Sequence, residues 1–247
     1  MMRYFAEIQF NGSKYVGWQN QPNGVSVQEI IEEKFSILEK SKIEVVGCGR
    51  TDTGVHASQF FLHFDGMEEW TDFPLTKING LLPKDISLVR IIKVGDEAHA
   101  RFDATQRSYT YFISKHKNPF NTKFCYQFLQ YEKLDLALMQ QACEIIIKYD
   151  HFASFCKTNS DAKTMKCRID RLELQESKDG LEVHISADRF LRGMVRLVVG
   201  ALLNIGMHKV SLDELKSALD HQKRLDQNWS VPAHGLFLSN VRYEYIP

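Results

Sequence analysis

Arg50 and Asp52 stand two residues apart in the stretch Gly47-Cys48-Gly49-Arg50-Thr51-Asp52-Thr53-Gly54-Val55-His56-Ala57, among glycines 47, 49 and 54. An ordinary aspartate titrates near ~3.9, so at neutral pH such a side chain is a carboxylate able to act as nucleophile or proton acceptor. Glycine lifts the steric limits on φ, lets a loop turn tightly and lets other backbone approach it closely. A connection of this kind between two strands is also where rigid scaffolds present functional groups. Composition and spacing are satisfied equally well by an Asp-x-Gly turn with Arg50 and Asp52 as a plain ion pair. His56 has the residue type of a general base, but in Val55-His56-Ala57 the expected role is structural, a hydrogen bond that fixes the loop. Cys48 reads as a small buried thiol and not as a nucleophile.

Other chemistries fit the residues poorly. None of the nine histidines has a metal-binding spacing such as His-x-x-x-His. The five cysteines, Cys48, Cys125, Cys143, Cys156 and Cys167, are odd in number and never form Cys-x-x-Cys. That pattern points to reduced thiols in a cytosolic protein and away from a disulfide framework or a structural zinc site. Asp52-Thr53-Gly54 spells the triad of aspartic peptidases, whose mechanism needs two such aspartates sharing a proton. This chain has one copy, and Arg50-Thr51 replace the apolar residues expected before it. No stretch approaches the ~20 apolar residues of a membrane span. The opening Met1-Met2-Arg3-Tyr4-Phe5-Ala6-Glu7 lacks the pattern of a secretory signal.

The formal net charge is zero, which weighs mildly against a nucleic-acid binder, but the charges are segregated. From Arg101 to Lys123 the cations Arg101, Arg107, Lys115, Lys117 and Lys123 face a single acid, Asp103. Lys157, Lys163, Lys166, Arg168 and Arg171 make a second basic cluster, and Arg189, Arg192 and Arg196 a third, while acids gather at Glu29, Glu32, Glu33 and Glu39. Taken singly each cluster is a solvated surface; together they leave a phosphate-binding face open.

The elements that must position these residues follow from periodicity. Strands are expected over 3–10, 43–47, 58–64 and 86–94, and over the aromatic run Arg107-Ser108-Tyr109-Thr110-Tyr111-Phe112-Ile113. Residues 169–175 and 181–187 pair as a hairpin about Lys178-Asp179-Gly180, and 235–245 closes the chain as a strand. Ser26-x-x-Glu29 opens a helix to about Lys40, and further helices are expected over 74–80, 134–149, 190–205 and 212–219. This order suits α+β, with two similar domains of antiparallel or mixed sheets flanked by helices, divided as 1–104 and 105–247.

The 47–57 segment closely resembles the signature of the tRNA pseudouridine synthase A family. Leu81-Leu82-Pro83-Lys84-Asp85-Ile86, Ala98-His99-Ala100-Arg101-Phe102, Arg107-Ser108-Tyr109-Thr110-Tyr111, Phe190-Leu191-Arg192-Gly193-Met194-Val195-Arg196 and Pro232-Ala233-His234-Gly235-Leu236 resemble its other blocks, in family order over nearly the whole chain. The resemblance implies the pseudouridine synthase fold with its active site in the cleft between the domains. It implies tRNA as substrate, modified at uridines in the 3′ part of the anticodon stem-loop, a cytoplasmic homodimer, and no cofactor or metal.

Physical need agrees with that chemistry. Making pseudouridine breaks the bond from ribose C1′ to uracil N1, turns the base and joins C5 to C1′, with no net redox change or hydrolysis. By resemblance Asp52 is the catalytic carboxylate and Arg196 the cation that keeps it charged once water is excluded. Tyr109 matches the family's active-site tyrosine, a flat surface for an extruded base. Arg50 evicts the target nucleotide from its stack, and Leu236 lies beneath the base. For Tyr111 a core role is expected. The rival reading is an RNA-binding protein without catalysis.

Overall fold

The structure, a computed structural model, describes residues 1–67, 69–157, 163–227 and 229–246. The basic stretch 157–171 is therefore described apart from residues 158–162. The chain forms two compact units, residues 1–105 with 237–247, and residues 106–236. The C-terminal segment thus returns to the first unit, which a cut of the chain at 104/105 does not express.

In the first unit β1 (Met2–Phe10) lies between β3 (His56–Gly66) and β4 (Ile86–Lys93), antiparallel to both. The pairs Phe10↔Ala57 and Phe10↔Ile86 mark one end of this sheet, and Tyr4↔Phe64 and Tyr4↔Lys93 the other. A two-residue β2 (Val46–Gly47) pairs with β3, and β9 (Leu236–Arg242) runs parallel to β3 through His56↔Phe237 and Ala57↔Leu238. Side chains alternate across the strands with period two. Tyr4, Phe60 and Phe64 share one face with α1 (Val27–Glu39), where Phe35 meets Phe64 and Trp70 at ring separations of 5.1 and 4.8 Å. Trp70 is fully buried, and its indole N–H donates to the Glu39 carboxylate at 2.7 Å. The opposite face carries Phe5, Phe61 and Tyr243, packed edge to face at 5.2 Å. Beside them the buried Glu7 accepts hydrogen bonds from Arg90 at 2.6 Å and Gln59 at 3.0 Å. The short α2 (Leu75–Leu81) completes the unit, its Asn79 bonding both backbone groups of Leu88.

The helix expected after Ser26 begins there, with the Ser26 hydroxyl accepting the Glu29 N–H at 3.0 Å. The strand expected over 43–47 shrinks to Val46–Gly47 for a specific reason. Side chains of α1 take the backbone bonds a sheet neighbour would have used: Ser36 accepts from Ile43, Glu32 accepts from Val45, and Gln28 donates to the Val45 carbonyl.

In the second unit β5 (Gln106–Ser114) and β7 (Ile169–Ser177) flank β8 (Gly180–Ala187), all antiparallel, with a two-residue β6 (Tyr126–Gln127) parallel to β5. Tyr109 lies opposite Ile185. Three helices accompany this sheet: α3 (Leu136–Ile146), α4 (Met194–Gly206) and α5 (Leu212–Asp220). α4 is buried on nearly every side and packs against α3 so closely that a Cβ on Gly206 would come 2.6 Å from the Met139 sulfur. It starts at Met194 and not at 190, because Gly193 adopts a left-handed φ of 70° that ends the approach segment. α3 likewise starts two residues later than its apolar stripe suggests, at Leu136 after the Asp135 cap, whose carboxylate accepts the Leu138 N–H at 2.9 Å. No helix among the described residues is long and apolar enough to cross a membrane.

Within the first unit His63 carries a testable consequence. Its Nδ1 accepts the Ala100 N–H at 3.0 Å, and its ring lies against Phe5 and His99. Burial, with the charges of His99 and Arg3, pushes its pKa from 6.5 down to about 4. The unfolded chain therefore binds this proton first, so the His63 contribution is complete above about pH 6.5 and is lost as pH falls through about 4. Urea unfolding of His63→Gln against the parent across this window should show a shallower acid-side loss for the variant; parallel profiles would contradict the neutral, buried ring.

Candidate active site

The connection from β2 to β3 holds Arg50 and Asp52, and backbone contacts decide its shape. Gly17, at φ +105°, lies against this loop so tightly that a Cβ would collide with the Thr51 carbonyl oxygen and come 3.2 Å from the Asp52 carbonyl carbon. The Asp52 carbonyl accepts the Val55 N–H at 3.1 Å across a turn in which Gly54 has φ +79°. The Gly54 N–H donates to the Tyr15 carbonyl at 3.3 Å, and the Thr53 hydroxyl to the Val16 carbonyl at 3.1 Å. At the base of the loop Gly12 packs directly on the Val55 carbonyl, and the Gly12 N–H donates to His56 Nδ1 at 3.1 Å. The His56 ring is buried and stacks on Phe237 at 4.6 Å. His56 is thus a structural clamp whose ring nitrogen is occupied. On the β2 side Gly47 gives room to Trp18, whose ring lies tilted against Phe60 at 4.2 Å. Gly49, by contrast, has open space where a Cβ would stand. Of the three glycines in the motif, Gly47 and Gly54 answer a steric demand and Gly49 does not.

A second layer holds Tyr15 in turn. Its hydroxyl donates to Asp85 at 2.6 Å, Lys14 pairs with the same carboxylate at 3.2 Å, and the Asp85 carbonyl accepts the Asn11 N–H at 2.8 Å. Burial and the Asp85 hydrogen bond raise the Tyr15 phenol pKa, which keeps it a donor. Tyr15, Gly17 and Asp85 were not among the residues singled out for the site. Their sequence signals were the aromatic and glycine in a loop and, for Asp85, its place in the block 81–86. The result is an Asp52 side chain that is half-buried, next to an Arg50 that is exposed. Asp52 takes part in polar or electrostatic interactions of its own. The shallow depression lined by Ile92, Val94, Ala98 and Tyr245 lies at the Tyr4↔Lys93 end of the sheet, the end away from this loop.

The other expected site residues lie in the second unit. Tyr109 is half-buried on β5, and its ring meets Phe190 edge to face at 5.2 Å. Tyr111, two residues on, is fully buried and donates from its hydroxyl to the Pro232 carbonyl at 2.8 Å, a core tyrosine as expected. Arg196 sits in the first turn of α4, half-buried. Its Nε donates to the Val231 carbonyl at 2.7 Å, and its own carbonyl accepts the Val231 N–H at 3.2 Å. The same strap presses the Trp229 carbonyl onto Gly200, where no Cβ fits. It ends at Gly235, packed on the Tyr111 ring and the Phe112 carbonyl, and delivers the buried Leu236. Within this unit Arg196 is near enough to Tyr111 for its charge to act on the phenol. Tyr109, Arg196 and Leu236 therefore belong to one local frame, and Arg50 and Asp52 to another.

Comparison with known proteins bears on both frames. A family model described as tRNA pseudouridine synthase matches residues 6–103 and 149–244. The tRNA pseudouridine synthase A of Parabacteroides distasonis is 43% identical over 245 residues, covering 98% of this chain and 96% of that protein. The Bacteroides fragilis protein of the same name is 42% identical over 246 residues, with 98% and 97% covered. The Bacillus subtilis one is 36% identical over 252 residues, with 98% and 100% covered.

The contact between Gly17 and the Asp52 loop predicts a contrast between two glycines. Gly17→Ala should destabilise the protein by about 1–3 kcal/mol, the cost of a non-glycine residue at positive φ with a backbone collision. Gly49→Ala should leave the free energy of urea unfolding within ~0.5 kcal/mol of the parent. Equal effects of the two substitutions would show that the close approach does not hold the loop.

Proposed function

The chain belongs to the tRNA pseudouridine synthase family, and we propose that it isomerises uridine to pseudouridine in tRNA with Asp52 as the reacting carboxylate. One observation carries the assignment to this residue: the carboxyl-bearing loop inside the matched segment 6–103 is fixed through its backbone by Gly17, Tyr15 and Gly12. A half-buried acid held by main-chain contacts keeps its position when a substrate displaces the water around it.

The reaction is an internal transfer. The C1′–N1 bond breaks, the uracil turns, C5 bonds to C1′, and the C5 proton is lost as N1 gains one, so electrons and atoms balance without an external reagent. Asp52 serves either as a nucleophile toward the sugar or base or as the base that removes a proton while a glycal-like species forms. In a site closed to water a carboxylate needs a cation, and we assign that role to Arg196. Its guanidinium is anchored to the Val231 carbonyl through Nε, and a planar fork of donors suits a carboxylate partner. Tyr109 is assigned as the platform for the extruded uracil. Its ring is held at one edge by Phe190 and remains partly exposed. Arg50, exposed beside Asp52, fills the space the flipped nucleotide leaves, at a site where eviction costs a few kcal/mol. Leu236 is assigned as the apolar contact beneath the base. The family resemblance further supports the 3′ part of the anticodon stem-loop as target, a homodimer as working unit and the cytoplasm as location.

Two substitutions test this assignment. Asp52→Asn keeps shape and removes charge, so tritium release from C5-labelled uridine in tRNA should fall by at least ~10²–10⁴-fold while tRNA binding stays near the parent value. Retained turnover ends the assignment. Tyr109→Phe keeps the ring, so KM should hold; a lowered kcat assigns the hydroxyl a part in the chemistry, and an unchanged kcat confines Tyr109 to stacking.

A further inference from the structure

The segment from Lys115 to Phe124 leaves the far end of β5 and carries Lys115, His116, Lys117 and Lys123 without one Asp or Glu. It is a built loop. The Asn118 side-chain oxygen accepts the Phe120 N–H at 3.0 Å, the Asn118 carbonyl accepts from Asn121 at 3.2 Å, and the Asn121 carbonyl accepts from Phe124 at 2.8 Å. Its base is tied down where the Lys115 N–H donates to the Asp179 carbonyl at 3.1 Å, and where β6 pairs with the end of β5. These consecutive turns hold Phe120 93% exposed, the most exposed large apolar side chain among the described residues. A lone exposed apolar residue needs no explanation. One raised on a hydrogen-bonded turn, in a segment whose charged residues are all basic, matches the arrangement that binds single-stranded nucleic acid, an aromatic face for a base beside charges for phosphates.

We infer that the 115–124 loop is a second RNA contact, in which Phe120 stacks on an unpaired base and Lys117 with its neighbours meets the flanking phosphates. The inference rests on the reading of this chain as a tRNA-modifying enzyme and adds a contact separate from the reacting uridine. Tyr109 and Ser114 are five strand residues apart, about 17 Å along β5, so a base on Phe120 is not the base on Tyr109. Charge decides against a second copy of the chain as occupant: a two-fold contact would bring this acid-free loop against itself, whereas phosphates release counterions to it. The acids nearest its base, Asp179 and Glu182, lie on the β7–β8 hairpin, where their charges act on Cys125.

Placing the photo-cross-linker p-benzoylphenylalanine at position 120 tests the occupant directly. Cross-linking to tRNA at a nucleotide other than the modified uridine is the expected result. Cross-linking to a second protein chain, or no RNA adduct, overturns the inference. Kinetically, Phe120→Ala should raise KM for tRNA by about 5- to 100-fold at unchanged kcat, and Phe120→Trp should restore it. An F120A enzyme with the parent KM also overturns it. Parent turnover measured alongside separates the two readings: an inactive parent removes the isomerase assignment, while an active parent with an unaltered F120A KM removes only the loop contact.

Discussion

Carboxylate chemistry depends on where two oxygen atoms sit, and for Asp52 that position is set by main chain pressed on main chain. The backbone at Gly17 lies against Thr51 and Asp52 at a distance only a residue without a Cβ permits, with a φ that other residues avoid. Around this contact the structure adds bonds that each have a backbone atom on at least one side: Gly54 to Tyr15, Thr53 to Val16, Gly12 to His56. These tethers act on the main chain and on the side chains of Thr53 and His56. Gly12 and Gly17 give this loop rigidity through close backbone contacts, and Gly54 through its positive φ.

The second unit uses a different device for the same end. An arginine on a helix buried nearly all round would be costly unless its polar atoms were met. Arg196 solves this by pairing with the 229–232 strap through both its Nε and its backbone carbonyl. The strap is itself held by Tyr111 and by the missing side chain of Gly200. Burial raises the Tyr111 phenol and makes it a dependable donor to Pro232. Its neighbour Tyr109, on the same face two residues earlier, remains partly open. One aromatic strand thus supplies a core anchor and a surface ring, and only the burial gradient along β5 distinguishes them.

The order of strands and helices was legible because hydrophobic periodicity and caps are local. Ser26, Asp135 and Ser211 cap α1, α3 and α5, and the hairpin turns at Gly180 as its glycine announces. The strand expected over 43–47 was not legible, since Ser36, Glu32 and Gln28 compete for its backbone from a helix that the local pattern treats as a separate element. The start of α4 was missed because one positive φ at Gly193 outweighs an apolar run.

By itself the sequence determined the residue types able to do the chemistry, the α+β class and the family, since these reside in short segments and their order. It did not separate the glycines that matter from Gly49, reveal that Tyr15 and Asp85 brace the Asp52 loop, or return residues 237–247 to the first unit. Those are decided by contacts between positions tens of residues apart. Whether a missing Cβ is required depends on which backbone arrives to occupy its place, and only the folded chain determines that.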